Sequence, residues 1–349
     1  MFGTYRYMLA MLAIFSHFHP ILSGRLNWTG MYALFAFYVL SGYLMTRVLH
    51  ETYGFTARGV GHYLWNRALR IYPTYWMAAI VSLLVVWAAP ATVALYTKVL
   101  DIPVTAPGIA QNVLIFSLNA WRVPRLVTPA WSLHVEMCFY VLMALGLSRS
   151  LRMAVLWFAA SAAYTAYLVH SDVEFALRYS TVLAGSLPFS VGALAYFASR
   201  RFRFAPHWAP AAVLAFLAMD FCGRWVVSDV MTDGFYIGLA LNALAVICLA
   251  QVKARSLAPR LVKMDRLLGD LTYPMFLLHL PVAYVWTAVL HAQSRPSDGL
   301  MMLIALPTLN LVAWGAVRLV DRQIEPSRAS VRATVLVGQS VSGPAAMAR

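Results

Sequence analysis

The chain has 349 residues, 61% hydrophobic and only 11% charged, with a mean hydropathy of +0.69. Soluble domains carry about 25% charged residues, so the balance excludes an ordinary soluble protein and predicts an integral membrane one. The formal net charge of +14 does not signal nucleic acid. Its Lys and Arg sit in short clusters between apolar runs, not in a basic stripe with interleaved aromatics.

Apolar runs long enough to cross a bilayer fall at about 5–22, 29–48, 72–89, 134–148, 154–170, 179–198, 208–223, 234–251, 269–290 and 300–319. The expected fold is therefore all-α, a bundle of about ten transmembrane helices. The positive-inside rule orients it. With the N-terminus inside, twenty Lys and Arg fall on inner segments and seven on outer ones. Both termini are thus expected in the cytoplasm. Residues 1–328 read as one domain, and 329–349 as a basic, disordered cytoplasmic tail. The fourth run is the shortest, and 109–121 before it reads as a partial or re-entrant helix. Cys138, Cys222 and Cys248 lie in or beside apolar runs at no disulfide or metal-ligand spacing. They are read as packing residues, and no metal is expected. The first run carries two histidines and is followed by no Ala-x-Ala site, so it is expected to be retained.

Chemistry enters with that first run, YRYMLAMLAIFSHFHP. Ionisable groups inside a span are expensive and point to function. Arg6 and His17 are eleven positions apart, about 16 Å along a helix with about 20° of rotation, so they share a face. A cation at the inner mouth and an imidazole deeper on the same stripe suit an anionic ligand. The plainer alternative is a topological anchor and a bundle hydrogen-bonder. Ser41-Gly42-Tyr43 closes the second run, where the small pair suits close helix packing.

Arg67 and Arg70 are i and i+3, neighbours on one helical face. Paired guanidiniums there can grip phosphate with bidentate bonds, or lipid headgroups. Pro73 follows them and is expected to begin the third span. The longest outer loop, 90–133, leads into Trp131-Ser132-Leu133-His134-Val135-Glu136. An unpaired carboxylate at mid-span costs about 3 kcal/mol, so Glu136 is expected to pair with Arg or His or to cap the helix. His134 faces away from it. His279 falls near mid-membrane between Pro274 and Pro281. Arg322 and Glu325 read as a stop signal with a local ion pair.

Together these residues resemble the membrane-bound acyltransferase-3 family, acyl-CoA-dependent O-acyltransferases that modify carbohydrates and some antibiotics. The resemblance covers about residues 5–328. Its most specific element is Arg6, ten residues, then His17. Phe37-Tyr38-Val39-Leu40-Ser41-Gly42 fits the Phe-Phe-x-x-Ser-Gly element with tyrosine at its second position. Arg67-Ala68-Leu69-Arg70 fits Arg-x-x-Arg, and Trp131 to Glu136 fits Trp-Ser-Leu-x-x-Glu. Thr272, Tyr273, Pro274 and His279 fit a late Thr-Tyr-Pro…His segment. The glycine and acidic residue usual just before the Phe-Phe element are absent.

The resemblance implies an acyl-CoA donor, most often acetyl-CoA, and a hydroxyl acceptor on a carbohydrate or glycolipid. His17 is then the catalytic base or an acyl carrier, and Glu136, also placed in the catalytic set, or another polar neighbour orients it. Arg6, Arg67 and Arg70 hold the donor, and Ser41, Trp131 and His279 are substrate-binding candidates. Expected partners are membrane lipids and polysaccharide-assembly proteins, in a bacterial cytoplasmic (inner) membrane. The alternatives are a transporter or flippase for an anionic or lipid-linked substrate, and a non-catalytic structural partner.

Overall fold

The computed structural model describes residues 2–18, 29–95, 102–118, 120, 124–290 and 298–341. Every regular element among the described residues is a helix. The first six principal helices are α1 (Phe2–Phe18), α2 (Thr29–Val48), α3 (Ala57–Ala88), α4 (Ala106–Leu114), α5 (Ala130–Leu142) and α6 (Leu151–His170). They continue as α7 (Val182–Arg201), α8 (Trp208–Cys222), α9 (Phe235–Gln251), α10 (Pro259–Val289), α11 (Asp298–Ala316) and α12 (Arg322–Val341). Apolar side chains all round leave the backbone nothing but itself to bond, which selects helices over open strands.

Among the described residues seven stretches are long and apolar enough to cross a membrane, built on α2, α3, α5, α6, α7, α9 and the α11–α12 continuation. The remaining three runs read from the sequence are helical too, as α1 (17 residues), α8 (15 residues) and α10 (31 residues). A full span takes about 20 residues, so α8 is short for one.

Glycines decide how closely the helices cross. A methyl on Gly192 of α7 would stand 2.1 Å from the Val39 carbonyl oxygen of α2, and one on Gly42 would stand 2.3 Å from that of Phe189. The α1–α10 crossing is similar, with a Gly3 methyl 1.8 Å from the Asp265 carbonyl oxygen. There the Asp265 carboxylate also accepts from the Thr4 N–H at 2.8 Å and its hydroxyl at 2.9 Å. The first turn of α1, whose N–H groups have no intrahelical partner, is thus capped from α10.

Two expectations meet a difference, at Pro73 and in the tail, and one between them is met. Pro73 lies inside α3, sixteen residues past its start. The lost N–H is one bond in a 32-residue helix, a defect that membrane helices tolerate because neighbours re-satisfy the backbone. The stretch read as partial or re-entrant does form a short helix, α4. Its last carbonyls accept from side chains of α3: Tyr75 hydroxyl to Asn112 at 2.7 Å, Trp76 Nε1 to Val113 at 2.9 Å and Tyr72 hydroxyl to Leu114 at 2.8 Å. Finally, residues 329–341, read as a disordered tail, continue α12. Packing explains this, since the buried Asn66 of α3 donates from Nδ2 to the Arg328 carbonyl at 2.9 Å.

α11, the turn Val317–Asp321 and α12 run on as one helix. At 1.5 Å per residue it is about 66 Å long, twice the ~30 Å apolar thickness of a bilayer. Part of that surplus, Asp321 to Arg328, walls a site beside Arg6 of α1 together with Arg67 and Arg70 of α3 and Arg266 and Asp270 of α10.

Candidate active site

A cavity of about 590 Å³ opens beside Arg6. Arg6 of α1, Ser41 of α2, Arg67 and Arg70 of α3, and Glu136 of α5 all line it, so five of the eight site residues expected from sequence share one cavity. Arg266 and Asp270 of α10, Asp321, and Arg322, Glu325 and Arg328 of α12 complete its charged wall. Six arginines thus face four carboxylates, a surplus of positive charge suited to a polyanion.

The arginines are not equivalent. Arg70 bonds Asp321 at 3.1 Å, with only 18% and 14% of the two side chains exposed. Asp321 also accepts from the Thr74 hydroxyl at 2.7 Å. Arg70 is thereby largely neutralised. Arg67 contacts no carboxylate among the described residues; its head reaches the Met45 sulfur at 3.7 Å and the Asn66 amide oxygen at 3.4 Å. Its Nε is buried with no hydrogen-bond partner among the described residues. Arg6 likewise makes no ion pair among the described residues and lies in the field of Arg70, Glu136 and Arg67.

Glu136 neither caps a helix nor forms an ion pair among the described residues. One of its oxygens accepts from the Ser41 hydroxyl at 2.6 Å and from the Tyr140 hydroxyl. Two such bonds meet the need of a partly buried carboxylate that the sequence reading assigns to Arg or His. Ser41 therefore faces the cavity, while its neighbour Gly42 does the packing.

His17 lies at the far end of α1 and is not part of the cavity wall. Its Nδ1 is 2.8 Å from His279 Nε2, and the two rings lie edge to edge and nearly coplanar, with centroids 4.9 Å apart and 6° between their planes. His279 is fully buried, and its Nδ1 is 2.8 Å from the Phe276 carbonyl oxygen. A carbonyl only accepts, so His279 carries its proton on Nδ1 and its Nε2 accepts. His17 must then donate from Nδ1, which makes its Nε2 the acceptor nitrogen of the ring. The group that orients His17 is thus His279, not Glu136. Phe276 touches both regions. Its ring lines the cavity and stands 6.3 Å from that of His279.

Trp131 is placed elsewhere, edge-on to Tyr179 at 5.6 Å in an aromatic cluster with Phe35 and Phe175. His19 lies outside the described residues. Sequence reasoning missed Arg266, Asp270, Asp321, Tyr140 and Phe276 as site residues, and gave Arg322 and Glu325 only a stop-signal role. The available signal was an aspartate, Asp321, closing an otherwise apolar run.

Several lipid-length apolar helices around a polar, cation-rich cavity define an integral, multi-pass membrane protein. The profile of a family described as an acyltransferase domain matches residues 5–318, nearly the whole chain. The chain belongs to this acyltransferase-3 family and is an acyltransferase enzyme. No curated protein and no solved structure matches it.

Proposed function

We propose that the chain is an O-acyltransferase that moves an acyl group, most simply acetyl, from acyl-CoA to a hydroxyl of a carbohydrate or glycolipid. It does so in a bacterial cytoplasmic membrane, with ten spans and both termini inside. One observation carries the reading: α1 has an arginine-rich cavity at one end and an oriented histidine pair at the other. A donor with a polyphosphate head and a distant reactive thioester suits that separation.

In this reading Arg6 and Arg67 hold donor phosphates, because no carboxylate among the described residues pairs with them. Asp321 keeps Arg70 in place. The thioester extends past Phe276 toward His17. There His17 Nε2 takes the acceptor hydroxyl proton as the oxygen attacks the thioester carbonyl. The new C–O ester bond forms, the C–S bond breaks, and the proton passes from His17 to the leaving thiolate as CoA thiol. His279 holds His17 in the tautomer this step needs, accepting from its Nδ1–H.

The test is thiol release from acetyl-CoA by the purified full-length chain. General-base catalysis contributes about 10²–10⁴-fold, so His17→Ala is expected to lower turnover by that factor while donor binding persists. His279→Phe should lower turnover with little change in donor KM and alter the pH profile. Undiminished turnover in folded His17→Ala would remove His17 from the chemistry. A burst of thiol equal to the enzyme and formed without acceptor would indicate an acyl-His17 intermediate instead.

A further inference from the structure

The helix read from sequence as a stop signal and tail forms one wall of the cavity, and it brings a cation to Arg67. Arg328 of α12 lines the cavity with only 13% of its side chain exposed. The buried Asn66 ties the two positions together, donating to the Arg328 carbonyl at 2.9 Å and facing Arg67 Nη2 with its amide oxygen at 3.4 Å. Arg67 and Arg328 repel one another, so holding them side by side needs a counter-charge. Glu325 supplies one, but it is shared, 2.7 Å from Arg328 and 2.6 Å from Arg332. Arg67, Arg328 and Arg332 together carry three positive charges against the one of Glu325, a surplus of two.

The same place collects unmet donors. The Nε atoms of Arg67 and Arg328 and the hydroxyls of Tyr53 and Tyr63 are all buried with no hydrogen-bond partner among the described residues. The Tyr53 and Tyr63 rings meet edge-on at 5.8 Å, and Arg67 lies 6.0 Å from the Tyr63 ring centre. Buried polar groups are nearly always satisfied in native structures, and a cluster of exceptions calls for a ligand. All four groups donate and none of them is a carboxylate, so the ligand they suit is an anion. A phosphomonoester carries about −1.5 to −2 charges at neutral pH, which matches the surplus, and guanidiniums grip it bidentately.

We propose that α12 completes the donor site: Arg328 and Arg67, backed by Tyr53 and Tyr63 and held in register by Asn66, form a phosphomonoester subsite. Its ligand is the ribose 3′-phosphate of the acyl-CoA donor. The inference rests on the donor reading above and assigns the carboxy-terminal helix a part in it.

The experiment compares binding of CoA and 3′-dephospho-CoA to the purified full-length protein by calorimetry, beside thiol release from acetyl-CoA. The wild-type chain should prefer CoA by about 10–100-fold, the range of one or two charge-assisted bonds. Arg328→Ala should abolish that preference by weakening CoA alone. Arg328→Lys should restore part of it, and Tyr53→Phe, which keeps the ring, should reduce it several-fold. An unchanged preference in Arg328→Lys and Tyr53→Phe, both still releasing thiol, overturns the subsite and leaves the donor reading standing. The same holds if phosphatidic acid in nanodiscs, but not CoA, loses affinity in Arg328→Ala, for the cluster would then serve lipid. A wild-type chain that binds neither nucleotide and frees no thiol sinks the donor reading and this subsite with it.

Discussion

At the scale of single residues, neighbours of one type take different work. Arg67 and Arg70 look interchangeable as i and i+3 on one helix face. Their partners separate them, since Asp321 neutralises Arg70 while among the described residues Arg67 reaches a sulfur and an amide and no carboxylate. A charge-assisted hydrogen bond is worth about 1.5–3 kcal/mol, so Arg67→Ala should raise the donor KM by about 10–100-fold with kcat less affected. Arg70→Ala leaves the largely buried Asp321 with the Thr74 hydroxyl but without its ion-pair partner, a change that costs up to about 3–5 kcal/mol in fully buried pairs. Its effect should appear as lost thermal stability and expression, with a donor KM closer to wild type. Steady-state kinetics beside thermal denaturation of both variants decides the matter, and the reverse pattern would give the phosphate grip to Arg70.

At the scale of elements, the α2–α7 crossing is set by backbone-to-backbone approach. Gly192 meets the Val39 carbonyl and Gly42 the Phe189 carbonyl, both at distances that no β-carbon fits. Gly192→Ala must push two helices apart, and overpacking of this kind costs about 1–3 kcal/mol. Gly61 is the contrast. It is exposed within α3, and a β-carbon added there would meet nothing within 4 Å among the described residues. Alanine at that position should gain up to about 1 kcal/mol of helix propensity. Melting temperatures in one detergent should therefore move in opposite directions for Gly192→Ala and Gly61→Ala. A stable Gly192→Ala protein would mean that the crossing can loosen without cost.

At the scale of the whole molecule, charge and cavity agree on one end. Arg6, Arg67, Arg266 and Arg328 come from four segments far apart in sequence, all inner by the charge rule, and they line one cavity. Arg201 belongs to a further inner segment and Arg255 to that of Arg266, and both are exposed. Single cysteines placed there, in a background with Cys138, Cys222 and Cys248 replaced, should react with an impermeant thiol reagent only after the membrane is opened. Labelling of Arg201→Cys or Arg255→Cys in sealed cells from outside would break the ten-span orientation proposed above.

The sequence by itself determined the class of the molecule. Apolar runs of span length leave the backbone no choice but helix, and Arg6, Ser41, Arg67, Arg70 and Glu136 were legible because charge and polar groups in such runs stand out. Only the tertiary structure decided how those groups divide their work. Hydrogen-bond partners here join residues 95 to 262 positions apart, as in Ser41 to Glu136 and His17 to His279, and helical spacing carries no information about contacts between helices. That is why Glu136 could be read as the partner of His17 although His279 occupies the place. It is also why α12 read as a tail: its composition is polar, and what orders it is Asn66 and the cavity wall, contacts that exist only once α3 and α12 are side by side.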